Sequence, residues 1–403
     1  MKYDFESIID RRGHDALAVD LDVLKNEKGL DIPDGTDIIP MWVADMNFPV
    51  LPTIQTEIIA RAAHPAFGYF PIRKEYYDAI IKWQETRNGV TGLTPECIGY
   101  ENGVLGGVVS ALGVLCSRGD NVLVHSPTYI GFTSSLGNNG YNIVHSPLVR
   151  DENGIWRMDF ADMEKKIAEK HIHAMVFCSP HNPCGRVWEE WELEKLCTLC
   201  EKYDVKIVSD EIWSDIIRPG LQHIPTHSTN DWARQNIVAL YAPSKTFNLA
   251  GLIGAYHIIY NPTLRDRVAK EESLCHYNDI NVLSMHALLG AYCQQGHEWV
   301  DEMCSVIAGN VDWACDYIKK HFDGVSVMRP QGTYMLFIDL TKWCERTGRT
   351  LDWAYHAGIH CGVIWQDGRA FHGECSIRVN LALPLYRVQE AFSRLDKYVF
   401  NAE

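Results

Sequence analysis

Apolar, β-branched runs of strand length recur through the middle of the chain: NVLVHSP (121–127), NIVHSPL (142–148), AMVFCSP (174–180), VKIVSDE (205–211), NIVALYAPS (236–244) and GAYHIIY (254–260). They are nearly continuous rather than alternating, as in strands covered on both faces. Between the third and fourth runs, EEWELEKLCTLCEKY spaces its apolar residues at the 3.6-residue period, which predicts an amphipathic helix of about four turns. Strands alternating with helices predict an α/β domain with a mostly parallel sheet.

From residue 285 the pattern changes. A long helical region (284–322) leads to the strand-like TYMLFIDL (333–340), a helix near 351–358, the strand-like SIRVNLALP (376–384) and a terminal helix. This predicts a second, smaller α+β domain, with the N-terminal segment packed back against it. The expected division is 46–284 for the large domain, and 1–45 with 285–403 for the small one. A chain of 403 residues exceeds what one core usually holds, which fits two domains.

Charge narrows the partners. With 37 basic and 52 acidic residues the net charge is -15, which argues against nucleic acid or an anionic membrane and for a small-molecule substrate. The N-terminus is charged and lacks a signal peptide's apolar core, and no run approaches the roughly 20 apolar residues of a membrane span, so the expected location is the cytoplasm. Thirteen cysteines then read as reduced thiols. Cys197 and Cys200 have no second ligand pair at zinc spacing, so they are expected on a buried apolar helix face, and no metal site is expected.

Polar residues stand where the predicted strands end. Ligands of open parallel sheets bind beyond the carboxyl ends of the strands, and there lie Tyr129, Asn182, Asp210 and Lys245. Each has an ordinary reading alone: Lys245 as a solvated lysine, Asp210 as a helix cap, Asn182 as part of the Asn-Pro turn and Tyr129 as core. Together they match what pyridoxal phosphate requires. An amine forms a Schiff base with the aldehyde, a carboxylate pairs with the pyridine nitrogen, an amide meets the phenolic oxygen and an aromatic stacks on the ring. NGVLGGVVSALGVL (102–115) offers glycines leading into a helix, a form that holds phosphate on backbone N–H groups.

SPHNPCG, SDEIWSD and APSKTFNLAG, followed far downstream by SIRVNLALP, resemble fold-type I pyridoxal phosphate enzymes of the class I and II aminotransferase superfamily. IPMWVADMNFPVLPTI (39–54), FGYFP (67–71) and the APSK form of the lysine motif resemble, more particularly, the MalY/PatB-type carbon–sulfur β-lyases, or cystathionine β-lyases. The resemblance implies the aspartate-aminotransferase-like fold, with Lys245 as the Schiff-base lysine and Asp210, Asn182 and Tyr129 in the roles above. It further implies that Gly103, Val104, Leu105 and Ser244 hold the phosphate, that Tyr69 reaches it from a second subunit of a homodimer with shared active sites, and that Arg378 binds the substrate carboxylate. Without the resemblance, Arg378 in a strand reads equally well as a solvent-facing side chain, and Trp42 as a buried core aromatic rather than a substrate neighbour. Trp365 and Phe371 are further candidates for pocket walls.

The chain departs from the family pattern in places. Trp213 stands where a tyrosine or histidine is usual, and an indole N–H donates but cannot accept. Ala242 and Ile253 replace a serine and an arginine that often serve the phosphate, and Asn47 stands where the lyase branch commonly has aspartate. The implied activity is α,β-elimination from L-cystathionine or a related cysteine S-conjugate to thiol, pyruvate and ammonia. Amino transfer between an amino acid and a 2-oxo acid would use the same residues and stands as the alternative, with a regulator acting through a protein partner as a reading of another class.

Overall fold

The computed structural model describes residues 1–273 and 278–402. The chain separates into two compact units: Val50–Asn182 with Arg186–Asp301, and Met1–Pro49 with Pro183–Gly185 and Glu302–Glu403.

The larger unit is built on a seven-stranded sheet of β1 (Ile98–Glu101), β2 (Asn121–Ser126), β3 (Asn142–Pro147), β4 (Ala174–Cys178), β5 (Lys206–Asp210), β6 (Ile237–Tyr241) and β7 (Ala255–Ile258), ordered β1-β7-β6-β5-β4-β2-β3. Strands β2 to β6 pair in parallel, and β7 runs antiparallel to both β1 and β6. All six apolar runs form strands, and β4 and β6 are buried along their whole length. Val122, Val124, Val176, Val208 and Val238 pack with Val104, Val108 and Leu112 of helix α1 (Gly103–Leu115) in one core. Full burial of each such side chain contributes about 1.5–3 kcal/mol. A β-carbon at Gly107 would press on Leu240 of β6, so the glycine sets how closely α1 approaches the sheet.

Helix α2 (Glu190–Tyr203) covers the predicted amphipathic stretch, started by a reciprocal capping box between Glu189 and Glu192 and ended by Asp204 in the left-handed region. Its buried face carries Cys197 and Cys200, the latter with Sγ 3.8 Å from Met175 Sδ on β4. Helix α3 (Pro262–Ser273) follows β7. The expected helical region of 284–322 consists of two helices, α4 (Val282–Ala291) and α5 (Gln294–His321). Tyr292 breaks the run: its ring stacks on Trp83 with centroids 4.5 Å apart and its hydroxyl meets that of Tyr256 at 3.2 Å. Tertiary stacking here outweighs local helix propensity.

The smaller unit contains a four-stranded sheet of β8 (Ser326–Val327), β9 (Met335–Asp339), β10 (Gln366–Asp367) and β11 (Ser376–Asn380), ordered β8-β9-β11-β10, all antiparallel. Helix α6 (Leu385–Leu395) buries Val388, Ala391, Phe392 and Leu395 at helical spacing. The N-terminal segment belongs to this unit. Ile39–Pro40 pairs in parallel with Val363–Ile364, and Asn380 donates its side-chain amide to the carbonyls of Val43 and Asp45 at 2.7 and 2.5 Å. Among the described residues, no helix is long and apolar enough to cross a membrane.

Candidate active site

Strand register brings the polar residues of the larger unit to one sheet edge. Cys178 of β4 pairs with Asp210 of β5, and Asp210 with Leu240 of β6. The ladder continues past the strand ends through Ser179 N–H to the Asp210 carbonyl at 2.9 Å and Glu211 N–H to the Leu240 carbonyl at 2.8 Å. From this edge the chain leaves toward Asn182 after β4 and Lys245 after β6. The loop after β4 is tied to the one after β2, because His181 Nε2 lies 2.7 Å from the Pro127 carbonyl, two residues before Tyr129. Asn182 is buried in that loop.

Asp210 is buried, and its Oδ1 accepts the Ile212 N–H at 3.0 Å. Burial pushes its carboxyl up to about 7, against the opposing pull of the Ile212 N–H and the Lys245 ammonium. Lys245 lies in the helical turn Pro243–Thr246 and is partly exposed, with Nζ 6.0 Å from the centre of the Trp213 ring. Trp213 is itself buried. The Lys245 turn is fixed from below: Asp215, also buried, accepts the Thr246 hydroxyl at 2.9 Å and the Trp83 indole N–H at 3.1 Å.

Tyr129 immediately precedes the helix Ile130–Asn138, and a β-carbon at Gly131 would collide with its ring and with Leu105. Glycine there lets the ring lie beside Leu105 at the start of α1. Gly103 opens α1 with φ of +76°, the left-handed region that favours glycine, and Val104 is buried behind it. Ser244 is partly exposed, and its carbonyl accepts the Leu249 N–H at 2.9 Å. Tyr69 is fully exposed on the single chain.

Arg378 and Trp42 belong to the smaller unit, where the structure brings them together: Arg378 Nη2 donates to the Trp42 carbonyl at 2.9 Å. Arg378 is 5% exposed and its guanidinium lies 4.3 Å from the centre of the Phe371 ring, so it is not a solvent-facing strand residue. The Trp42 indole N–H donates to the Ala18 carbonyl at 3.2 Å.

The donor set fits pyridoxal phosphate. A buried carboxyl whose charge is opposed by desolvation is stabilised as an anion by a cation placed against it, and a protonated pyridine nitrogen is such a cation. An amine, a buried amide, an aromatic ring and a helix start opened by a positive-φ glycine complete the set.

The family described as aminotransferase class I and II matches residues 36–395. The chain belongs to this family. Cystathionine beta-lyase PatB of Bacillus subtilis is 31% identical over 362 residues, spanning 89% of this chain and 92% of that protein. The PLP-bound C-S lyase from Staphylococcus hominis superposes with a TM-score of 0.86 at 30% identity, covering 98% of each chain. Cystalysin from Treponema denticola, whose structure contains pyridoxal 5'-phosphate, gives a TM-score of 0.91 at 29% identity over 99% of each chain. The fold is therefore that of the PLP-dependent aminotransferases, as the sequence motifs imply.

Sequence reasoning gave no role to the groups that support the site. Glu211 and Asp215 stand inside the SDEIWSD motif, yet their partners Tyr241, His223, Thr246 and Trp83 come from elsewhere in the chain. The only sequence signal is acidic residues at the end of an apolar strand.

Proposed function

We propose that this protein is a PLP-dependent carbon–sulfur β-lyase that cleaves L-cystathionine or a related cysteine S-conjugate to a thiol, pyruvate and ammonia. The observation that carries the reading is the placement of Lys245 beside buried Asp210 at one sheet edge, in a chain whose lyase relatives match over nearly its whole length.

In this reading Lys245 holds the cofactor's aldehyde, Asp210 its pyridine nitrogen, Asn182 its phenolic oxygen and Tyr129 its ring face. The amides of Gly103, Val104 and Leu105, with Ser244, hold its phosphate. When bound, the cofactor supplies an electron sink for negative charge at the substrate's α-carbon. Arg378 is the proposed partner of the substrate carboxylate, its planar fork matching two oxygens at once. Lys245, freed by the substrate's amine, removes the α-proton as general base. Asp215, through Thr246, keeps the lysine turn in place. Trp213, which can donate but not accept, limits its role at the cofactor to a donor or a wall.

Tyr69, fully exposed on the single chain, with the largely exposed Phe67 and Ile59, marks a surface that a second copy would cover, and a homodimer with shared sites belongs to the reading. Light scattering should then give a mass near twice 45.8 kDa. The proposed location is the cytoplasm, where thiols stay reduced.

The test is to incubate the PLP-supplied protein with L-cystathionine and assay pyruvate and thiol without a 2-oxo acid acceptor. Equal amounts of both, absent in Lys245→Ala, support the reading. No product, with amino transfer restored by 2-oxoglutarate, would replace it with aminotransferase activity.

A further inference from the structure

Beneath the start of α1 lies a cluster that the chemistry above does not use. Glu101 ends β1, His257 sits across from Gly99 on β7, and Glu272 comes from α3; one ligand-type atom from each lies within 4.8 Å of the others. His257 Nδ1 is 2.7 Å from Glu101 Oε1 and 3.7 Å from Glu272 Oε1, and each of the two carboxyls acts on the other's ionisation. Two glycines make room: a β-carbon at Gly99 would collide with the His257 ring, and one at Gly107 would lie 3.1 Å from the Glu101 carboxyl carbon. The second contact places that carboxyl against the first turns of α1.

Asn278 links the cluster to the helix start. Its Nδ2 donates to the Tyr100 carbonyl at 2.6 Å and to Glu101 Oε2 at 3.2 Å, while its Oδ1 accepts the backbone N–H of Asn102 at 2.7 Å. Asn102 is the residue before Gly103, and its own Oδ1 accepts the Tyr100 hydroxyl at 3.1 Å. The residue that launches α1 is thus held at both its amide and its side chain.

We propose that Asn278 is a positioning residue for the phosphate-binding turn of α1, and that the Glu101–Glu272 pair beside it shares one proton, so that it sets one negative charge rather than two against the phosphate. This rests on the assignment of the cofactor phosphate to Gly103–Leu105. Two carboxyls in contact inside a protein do not both ionise readily. Burial, helped at Glu272 by the Glu101 hydrogen bond, pushes Glu101 up to about 7 and Glu272 to about 8. Burial also holds His257 down at about 4, so it is neutral near neutral pH, with Nδ1 against Glu101 Oε1. The other ionisable groups nearby are Tyr100 on β1, whose hydroxyl burial pushes further up, and Arg265 on α3. As pH rises through about 7 to 8 the shared proton leaves, negative charge accumulates under the helix start, and phosphate affinity falls.

The experiment titrates apo-protein with pyridoxal phosphate between pH 6.5 and 8.5, for wild type, Asn278→Ala and Glu101→Gln, with far-UV circular dichroism and urea midpoints to confirm folding. Asn278→Ala should raise the Kd roughly three- to tenfold at each pH, the equivalent of one hydrogen bond, with kcat at saturating cofactor nearly unchanged. Glu101→Gln stays neutral, so the ratio of its affinity to that of wild type should rise severalfold from pH 6.5 to 8.5, a comparison that cancels the cofactor's own titration. If wild type binds the cofactor while Asn278→Ala binds equally well and the ratio stays flat, the inference is wrong. Stoichiometric divalent metal retained by wild type and lost in Glu272→Gln would overturn the shared proton. A wild type that never takes up the cofactor refutes the function proposed above instead.

Discussion

Glu211 offers a sharp test of how the sheet edge is held together. Its buried carboxylate accepts the Ser209 hydroxyl at 3.0 Å and the Thr226 N–H at 2.9 Å on Oε1, and the His223 Nε2 and Tyr241 hydroxyl, each at 2.7 Å, on Oε2. Short distances are typical of charge-assisted bonds. Burial alone would raise its pKa, yet the bonds and charges supplied by His223, His227 and Tyr241 outweigh burial and hold it below the usual carboxylate value. The side chain next to Asp210 is therefore an anion, and it pushes the Asp210 carboxyl upward.

Two substitutions separate the hydrogen bonds from the charge. In Glu211→Ala, Ser209 can turn to Thr226 Oγ1, 3.0 Å away, but the Thr226 N–H, the Tyr241 hydroxyl and His223 lose their acceptor. At about 1–3 kcal/mol for each buried group left unpaired, the cost is roughly 3–9 kcal/mol, a large part of the typical ~5–15 kcal/mol total. In Glu211→Gln the oxygen can stay on Thr226 and Ser209, while Tyr241 and His223 reverse to accept the new amide. Nothing need remain unpaired, and the loss of charge assistance costs about 2–3 kcal/mol. Urea unfolding followed by tryptophan fluorescence at pH 7.5 reads both values. The folded pKa is depressed, so the stabilisation is fully present above the unfolded value of about 4.3 and is lost as pH falls through the folded one. Glu211→Gln should shrink that acid-side loss. Equal destabilisation by both variants, or less than about 1 kcal/mol from either, would refute the account.

Lys245→Ala should abolish both the visible absorption of the cofactor-loaded protein and pyruvate release, and an intact band would remove Lys245 from its role. Asp210→Asn leaves the pyridine nitrogen without a buried counter-charge. A cost of ~3–5 kcal/mol corresponds to a loss in kcat/KM on the order of 10²–10⁴, and a change under tenfold would show that Asp210 does not face the ring. Arg378→Lys should raise KM on the order of tenfold with kcat less affected, since an ammonium cannot form the paired contact; an unchanged KM would place the substrate carboxylate elsewhere. In unfolded, unreduced protein all thirteen cysteines should react as thiols, whereas in the native state Cys197, pushed by burial up to about 12, should resist a thiol reagent for as long as the protein stays folded.

The parts of this molecule that its sequence revealed share a physical cause. Strands buried on both faces must be apolar throughout, so each of the six runs announced itself, and a polar residue just past such a run stood out against it, as at Asp210 and Lys245. What stayed hidden was assembled from distant pieces. Glu101, His257, Glu272 and Asn278 come from four segments separated by up to 177 positions, and each looks like an isolated polar residue in its own stretch. The division at Asp301 is hidden for another reason: α5 runs through it without a break, so no Gly, Pro or change of period marks the point. Tyr292 ends α4 because Trp83 and Tyr256 are there to receive it, which 284–322 alone could not disclose. The residues proposed to do the chemistry were legible because they interrupt an apolar pattern. Those that position them were not, because a buried polar group is explained by its partners, and only folding brings partners together. The same reasoning singles out Asn278 as the more informative target for mutation: replacing Lys245 tests what the motif already states, whereas replacing Asn278 tests a connection that exists only in three dimensions.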